Sequence, residues 1–393
     1  MEYISVKQAA EKWNVSVRRV QVLLKENRIK GAEHFGRSWM IPADAEKPVD
    51  PRAKAAPTRQ TLSADLARMV DVTIVPMPSD DPDAILDTFT EDRFRLHLEG
   101  EIAYMRGDFA RVIACFERTV GDDAARLRAC PLTIAAAICT GNYALFTQIE
   151  SYLKDMIKAD LGAGVTGLAE YALNTAYVSA IVPSMVCDWL KAGDFSAMAP
   201  KSWPDTTYKR AKYFQCVGNF EAMLAVAQTA LTFCDPGPGQ ITYAGIYLRI
   251  SCAVACCALG RANAAERYLM DALNICLPHG FITPFAESAT AFGSLLEQCL
   301  KSFPPEQLAA VNAQWDRTFV NWISFHNRFT HDNITSMLSL RNYRIALLVA
   351  RRVPYAEIAE EFNVSIASLK RTVGEIYGTL LISSKRELKG LLL

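Results

Sequence analysis

Near each end of the chain, an Asn-Val turn followed by a serine separates two short segments with helical hydrophobic periodicity. The turns are Asn14–Val15 and Asn363–Val364, and the serines that follow them are Ser16 and Ser365. Serine is favoured as the residue that caps a helix N-terminus. Two short helices joined by a tight turn pack against each other through their apolar faces, so the polar face of the second helix points outward. Each end is therefore expected to form a small helical module.

The first module is predicted over residues 1–45. Its helices run from Val6 to Trp13 and from Ser16 to about Asn27. The residues predicted to form their buried side are Ala9, Ala10, Trp13, Val17, Val20, Val22, Leu23 and Leu24. Two extended runs, 33–35 and 38–41, are joined at residues 36–37 and predict a β-hairpin. The residues left for the outside, and so candidates for nucleic-acid contacts, are Arg18, Arg19, Gln21, Lys25 and Arg37.

This segment resembles the winged helix-turn-helix of the MerR and excisionase-like families. The resemblance is carried by Val6, Ala9–Ala10, Arg18–Arg19 and the run Gly36–Arg37–Ser38–Trp39–Met40–Ile41–Pro42. It implies that the second helix enters the major groove of DNA, while Arg37 at the hairpin tip reaches a phosphate or the minor groove. The alternative is that the paired arginines only form a solvated helix face.

The second module is predicted over residues 336–393. Helices are expected over Leu340–Leu348, over Tyr355–Phe362 after Pro354, and from the Ser365 cap onwards. The last of these helices has a core-facing stripe of Leu369, Val373, Ile376, Tyr377 and Leu380. Its opposite face carries Ala367, Ser368, Lys370, Arg371, Thr372 and Glu375, and a short helix with a positive N-terminal half fits a major groove.

This second segment is similar to the LuxR-type helix-turn-helix. The matching runs are Ile358–Ala359–Glu360–Glu361–Phe362, Ser365–Ile366–Ala367–Ser368–Leu369–Lys370, Ile376–Tyr377–Gly378–Thr379–Leu380 and Ser383–Ser384–Lys385–Arg386. The resemblance implies that Lys370 and Arg371 contact DNA, with Ser368 and Thr372 beside them, and that 386–393 is a dimer surface. Among the departures, Arg352 replaces the usual glycine before the second helix. The alternative is a helical bundle whose basic residues are merely solvated.

Between the modules, the sequence predicts a linker over residues 46–83 and helical repeats over residues 84–330. The linker is inferred from Pro48, Pro51, Pro57, Pro76, Pro78 and Pro82. Triplets of glycine, a polar residue and an aromatic residue recur at 107–109, 141–143, 193–195 and 218–220. The first two triplets are 34 residues apart, the period of the tetratricopeptide repeat. The stretch from Ala272 to Glu287 resembles the repeat unit of MalT-like LuxR-type regulators.

Aromatic residues at helical spacing form a possible lining for the concave surface of such a solenoid. They are Trp189, Trp203, Tyr208, Tyr213, Tyr243 and Tyr247. Because aromatic residues at this spacing more commonly belong to a core, the sequence assigns no ligand site here.

Charge is distributed unevenly along a chain whose net charge is zero. Residues 1–57 carry 11 basic and 7 acidic residues, and residues 336–393 carry 9 and 5, so each end has a net charge of +4. The residues between them have a net charge of −8. Basic ends on an acidic body suit contacts with a phosphate backbone at the ends alone.

The sequence gives no support for an enzyme. It has no P-loop and no nucleophile elbow, its five histidines are isolated, and its eleven cysteines show no zinc-site spacing. Neither a signal peptide nor a membrane span is expected.

These features together predict a mainly α-helical, cytoplasmic transcription regulator that binds double-stranded DNA as a homodimer. It would need no cofactor or metal, and its helical repeats would bind a peptide, a protein or a small-molecule effector. One alternative is a protein-interaction scaffold with vestigial helix-turn-helix folds. The other is an excisionase that bends DNA, which accounts for the first module only.

Overall fold

The computed structural model describes residues 3–13, 15–26, 28–35, 38–48, 59–234, 236–330, 338 and 340–392. The chain divides into two compact units, Met1–Thr58 and Arg59–Leu393. Most described residues lie in α-helices, which confirms the predicted mainly α class.

The first unit contains two helices and a three-stranded sheet. Its elements are β1 (Tyr3–Ile4), α1 (Val6–Lys12), α2 (Val17–Lys25), β2 (Glu33–Phe35) and β3 (Ser38–Pro42). Strand β3 is central and pairs antiparallel with β1 and with β2. The β2–β3 pairing corresponds to the predicted hairpin, whereas β1 was not predicted because two residues are too few for a strand pattern.

The core of the first unit follows the predicted apolar faces with two exceptions. Ala9 and Ala10 of α1 and Trp13 after it are buried, as are Val20, Leu23 and Leu24 of α2. Val17 and Val22 were predicted to be buried, but Val22 is only partly buried and Val17 is 42% exposed. Val17 is the first residue of α2, one turn before the first buried position, and so lies beyond the end of the core.

The second unit begins with a helix where the sequence analysis expected a linker. Helix α3 (Arg59–Thr73) buries Leu62, Leu66 and Met69, which are spaced by four and three residues along one face. The prolines around it predict a linker over 46–83, whereas the buried stripe stabilises a helix there. A short strand, β4 (Met77–Pro78), follows and pairs antiparallel with β5 (Gln240–Ile241).

The body of the second unit is built from consecutive helices joined by short turns. They are α4 (Asp92–Arg106), α5 (Phe109–Glu117), α6 (Asp123–Thr140), α7 (Tyr143–Lys158), α8 (Ala163–Ser179), α9 (Asp188–Ala192), α10 (Trp203–Cys216), α11 (Phe220–Cys234), α12 (Tyr243–Ala258), α13 (Ala262–Cys276), α14 (Thr283–Phe292), α15 (Ser294–Leu300) and α16 (Pro305–Thr330). Short 3₁₀ helices lie at Pro82–Thr88, Pro183–Met185, Pro200–Ser202 and Leu277–His279.

Three of the four glycine triplets join one helix to the next. Gly107 and Gly141 end α4 and α6 with φ values of +80° and +69°, a left-handed conformation that glycine adopts without steric cost. The aromatic residue two positions later begins the following helix in both cases, and the triplet at 218–220 joins α10 to α11 in the same order. The triplet at 193–195 differs, because no α-helix begins at Phe195.

The long helix α16 lies across the ends of earlier helices. Asn321 Nδ2 donates to the Cys139 carbonyl (2.8 Å), Trp322 Nε1 to the Ser179 carbonyl (2.5 Å) and His326 Nδ1 to the Ala180 carbonyl (2.7 Å). These side chains bind carbonyl groups left free at the C-terminal ends of α6 and α8. Helix α16 therefore holds the C-terminal ends of α6 and α8 in place.

Four shorter helices complete the second unit and are called the C-terminal helices below. They are α17 (Leu340–Ala350), α18 (Tyr355–Glu361), α19 (Ile366–Thr379) and α20 (Lys385–Leu392). The stripe predicted for α19 faces inward, with Leu369, Val373 and Ile376 buried and Tyr377 and Leu380 partly buried. Among the helices of the described residues, none has the length and apolar content needed to cross a membrane.

Candidate functional site

The residues singled out on α2 face away from the core of the first unit. Arg18, Gln21 and Lys25 are exposed and Arg19 is half-buried, whereas Val20 and Leu23 between them are buried. The Ser16 hydroxyl accepts a hydrogen bond from the Arg19 amide (3.2 Å) and so begins the helix where the sequence predicts. Arg37, predicted at the hairpin tip, lies outside the described residues.

The residues singled out on α19 share one outward face near its N-terminus. Ser365 caps the helix by accepting from the Ser368 amide (3.1 Å). Lys370 and Arg371 are exposed, and Ser368 and Thr372 are half-buried. Arg371 Nε lies 3.8 Å from Glu375 Oε1, and both side chains are more than half exposed. Because this ion pair is exposed to solvent and its N–O distance is long, it contributes little to stability and leaves the guanidinium available to another anion.

The two turns around α18 place non-glycine residues in the left-handed region. Arg352 has φ of +65° and Asn363 has φ of +51°. Asparagine tolerates this conformation, whereas arginine is strained there by about 1 kcal/mol or more. The position at which the LuxR resemblance expects glycine is thus one whose backbone conformation favours glycine.

The last helix, α20, lies against the rest of the unit. Leu388 is fully buried, Leu391 is 43% exposed, and α20 packs against α17. Lys385 Nζ lies 4.6 Å from the centre of the Tyr355 ring of α18. Part of the surface predicted for dimer contacts is therefore already used within the monomer, and dimerisation through this helix stays a prediction.

The second unit contains a cavity of about 880 Å³. Side chains from α4, α6, α8, α10, α12, α14 and α16 line it, and the C-terminal helices α17 and α20 complete its wall. Cavities of this size are typical of small-molecule sites. The cavity thus lies between the helical body and the C-terminal helices.

Glu287 of α14 is the central acceptor in the cavity. It receives hydrogen bonds from the hydroxyls of Tyr104 of α4 and Tyr247 of α12, the latter at 3.1 Å. Its side chain is exposed to the space of the cavity, and desolvation by the surrounding protein raises its pKa. Below it, Gln314 Nε2 donates to the Thr283 hydroxyl (2.7 Å), which donates to the Tyr104 carbonyl (2.5 Å). This network fixes α4, α12, α14 and α16 to one another.

A second polar group lies on α4 and α6. His97 Nε2 is 3.2 Å from Glu101 Oε1 but is not aligned for a hydrogen bond. Burial, and then the nearby Arg128 guanidinium, lower the pKa of His97. Arg128 is 7% exposed, and its Nε donates to the Thr73 hydroxyl of α3 at 3.3 Å. Helix α3, absent from the sequence prediction, therefore supports one of the charged residues of the cavity.

Lys209 of α10 is a buried cation without an ionic partner. It is 6% exposed and, within the described residues, its ammonium forms no hydrogen bond or ion pair. Its nearest recorded neighbours are the rings of Tyr171 and Tyr208, whose centres lie 5.3 and 5.5 Å from Nζ. Burial lowers the pKa of Lys209 to about 8, although the Glu287 and Asp205 carboxylates oppose that shift. The same burial raises the pKa of Asp205 to about 6.

The residue that follows α17 is a further, half-buried cation. Arg351, which directly follows α17, lines the cavity, and its Nη1 is buried without a hydrogen-bond partner. Burial lowers the pKa of its guanidinium to about 10. Basic side chains outnumber acidic ones by six to three around the cavity. The basic set is Arg128, Lys209, Lys212, Arg351, Arg352 and Lys389, and the acidic set is Glu101, Asp205 and Glu287.

The aromatic residues considered from sequence divide into two groups. Tyr208 and Tyr243 line the cavity, and Tyr247 supports it through Glu287. The other three do not line it. Trp189 Nε1 donates to Glu170 Oε2 (2.7 Å), Trp203 is 46% exposed, and Tyr213 packs against a separate core.

The charged residues of the cavity were not identified from the sequence. The only local signal was the pair Asp205 and Lys209, four residues apart among the aromatic residues of α10. Glu287 lies at the end of the stretch that resembles a MalT-like repeat unit, but nothing in its neighbours marks a buried carboxylate. No group of three His, Cys, Asp or Glu residues suited to a metal ion occurs in the described parts of the chain.

Comparisons with known proteins add no assignment. No protein-family model, no curated protein and no solved structure matches this chain.

Proposed function

We propose that the chain is a DNA-binding transcriptional regulator that contacts double-stranded DNA through a helix-turn-helix module at each end. The observation that carries this proposal is the outward face of α19, where Lys370 and Arg371 are exposed behind a buried stripe of Leu369, Val373 and Ile376. A cationic face on a helix whose other face is held by a core is suited to a DNA groove.

The dimensions of the C-terminal helices support this role. Helix α19 has 14 residues and so is about 21 Å long, which the major groove admits. Its capped N-terminal half carries the two exposed cations, and α18 precedes it after a tight turn at Asn363. Phosphate contacts from these cations would give affinity, and Ser368 and Thr372 would lie beside the base edges.

The first unit supplies a second contact of the same kind in this proposal. Helix α2 exposes Arg18, Gln21 and Lys25, and the β2–β3 hairpin follows it as a wing would. The helical body then links the two modules and provides surfaces for an effector or for a second copy of the chain. A homodimer would gain affinity by engaging two half-sites together.

The test is a mobility-shift titration of a mixed-sequence 30-base-pair duplex with wild type and with Lys370→Ala/Arg371→Ala. We expect the double variant to lose at least about tenfold in affinity and to reduce the logarithmic salt slope by about 2, because two phosphate or base contacts are removed. Lys154→Ala/Lys158→Ala is the matched control, since it removes two exposed cations from α7 instead. Equal affinity of the two double variants would refute the role of α19.

The same titration separates the proposal from the scaffold alternative. A regulator binds the duplex with an affinity that falls steeply as salt rises, whereas a scaffold with vestigial modules does not bind it. Arg18→Ala/Lys25→Ala then tests the first unit. If both modules engage one duplex, its loss adds to that of the α19 variant; if only the C-terminal helices bind, the affinity is unchanged.

A further inference from the structure

We infer that the cavity of the second unit binds a small organic anion with a planar apolar body, whose anionic group is held by Lys209. Only the regulatory role of this binding rests on the proposed function, because binding in the cavity is testable without DNA. Nothing in the sequence analysis assigned this site.

The first observation is that Lys209 lacks a partner in a place where a partner is needed. The residue is 6% exposed, and in the described part of the chain its contacts are the faces of Tyr171 and Tyr208, at more than 5 Å, while the Glu287 and Asp205 carboxylates act on it from beyond ion-pair distance. Cation–π contacts at this distance replace only part of the lost hydration. A buried cation that lines a cavity is a binding group for an anion that enters that cavity.

The second observation is that the carboxylates of the cavity do not neutralise this cation by contact. Glu287 already accepts from Tyr104 and Tyr247, and no carboxylate lies within ion-pair distance of Lys209 in the described part of the chain. With six basic and three acidic side chains around it, the cavity has an excess of positive charge. The helical body contributes three basic and three acidic side chains to this wall, and the excess comes from Arg351, Arg352 and Lys389 of the C-terminal segment.

The third observation concerns the body of the ligand. Aromatic rings form much of the wall, among them Tyr208, Tyr243, Trp315, Phe319 and Tyr343. Trp315 and Phe319 stack with ring centres 4.8 Å apart, so this part of the wall is a packed aromatic cluster. Aromatic walls with one or two charged groups favour an aromatic or fused-ring anion over an inorganic ion.

The position of the cavity connects its occupancy to the C-terminal helices. Arg344 of α17 lies 3.1 Å from Asp316 of α16 and 3.3 Å from Glu361 of α18, and its guanidinium lies 3.9 Å from the Trp315 ring. Arg351 lines the cavity a few residues further on. An occupant of this space therefore contacts the segment that positions α18 and α19, and we expect it to alter the mobility of that segment.

The test compares two probes that differ by one sulfonate group. One is 8-anilinonaphthalene-1-sulfonate and the other is its uncharged parent, N-phenyl-1-naphthylamine; both fluoresce when transferred to an apolar site. We expect saturable binding of the sulfonate to wild type, a loss of at least tenfold in Lys209→Met, and recovery in Lys209→Arg. The uncharged probe should bind all three proteins within twofold. Equal sulfonate affinity of wild type and Lys209→Met would overturn the inference.

Thermal unfolding distinguishes a binding residue from a structural one. Because methionine keeps the apolar stem of lysine and removes an unpaired buried charge, we expect Lys209→Met without probe to unfold at the same or a higher temperature than wild type. A lower unfolding temperature would show that Lys209 stabilises the fold through the nearby carboxylates, and the assignment as an anion-binding group would then be wrong.

Hydrogen exchange tests the connection to the C-terminal helices separately. We expect the sulfonate to slow amide exchange in residues 343–353 of wild type and not of Lys209→Met. Binding that depends on Lys209 but protects only α10 would keep the anion site and overturn the connection. None of these measurements uses DNA. The cavity can therefore bind the sulfonate in a protein that fails the mobility-shift titration, and a protein that passes that titration can still fail to bind the sulfonate.

Discussion

The cations of the terminal helices and the cations of the cavity are the same residue types, but they differ in burial. Lys370 on α19 is exposed, whereas Lys209 on α10 is 6% exposed and unpaired. An exposed ammonium keeps its hydration, so it binds a polyanion such as DNA through weak, salt-dependent contacts. A buried ammonium has lost that hydration, so an anion that reaches it gains more per contact.

This difference shows that net charge does not identify what a region binds. The body around the cavity has a net charge of −8 as a segment, yet the charged side chains that it contributes to the cavity wall are three basic and three acidic ones. Long-range attraction of DNA depends on the summed charge of a surface, whereas binding in a cavity depends on the few groups that have lost water. Substitutions should therefore separate the two regions, since surface cations affect binding alone and cavity charges also affect stability.

The largest effect that we predict follows removal of the central acceptor of the cavity. Glu287→Ala leaves the hydroxyls of Tyr104 and Tyr247 without their shared acceptor and removes a carboxylate that favours the buried charge of Lys209. We expect the free energy of unfolding in urea to fall by about 3 kcal/mol. Lys370→Ala, on the surface, should change it by less than about 0.5 kcal/mol.

Glu287→Gln is the control for this prediction. Glutamine keeps the shape and one carbonyl acceptor, so its loss of stability should be less than half that of alanine. Equal stability of Glu287→Ala and wild type would contradict the view that the carboxylate holds α4, α12 and α14 together.

Helix faces could be predicted from the sequence, because their pattern is local. The stripe of Leu369, Val373 and Ile376 and the outward position of Lys370 both follow from the 3.6-residue period. Helix α3 was not predicted, although Leu62, Leu66 and Met69 show the same period, because the prolines on both sides of it are a competing local signal for a linker.

The cavity could not be predicted, because its residues are distant in the sequence and each is ordinary in its own segment. Tyr104 and Glu287 are 183 residues apart, and only the packing of α4 against α14 brings them into contact. Lys209 has the flanking residues of any amphipathic helix, and its burial follows from the helices that surround α10. A buried charge is a property of the assembled body and has no signature in one chain segment.

The next prediction concerns the pH dependence of sulfonate binding to the cavity. Burial lowers the pKa of Lys209 to about 8, so above that pH the free protein must take up a proton before its ammonium can hold the anion. The affinity should therefore fall by up to about tenfold for each pH unit above 8 and be level between about 6.5 and 7.5. The measurement is the fluorescence titration with the sulfonate from pH 6.5 to 9.5, in which the probe stays ionised throughout.

Other charged groups around Lys209 also affect the pH dependence of sulfonate binding. The charged side chains that line the cavity with it are Asp205 and Lys212 of α10, Arg128 of α6, Glu101 of α4 and Glu287 of α14, and its neighbouring hydroxyls are those of Tyr171 and Tyr208. Since burial raises the pKa of Asp205 to about 6, its protonation should strengthen anion binding below that pH. Lys209→Met should have a flat profile above pH 7; the same fall in this variant would assign the titration to another group.

The smallest effect that we predict is at Arg352, which belongs to both sets of cations because it is exposed at the surface and also lines the cavity. Its φ of +65° is unfavourable for any residue with a Cβ atom, so Arg352→Gly should raise the free energy of unfolding by about 1 kcal/mol relative to Arg352→Ala. That pair of variants isolates the backbone term, because both lack the guanidinium. If the anion is held by Lys209, both should bind the sulfonate within about twofold of wild type, because an exposed charge contributes little. Equal stability of the two variants would mean that the turn before α18 relaxes without strain, and a large loss of sulfonate affinity in both would place the anion beside the C-terminal helices instead of beside α10.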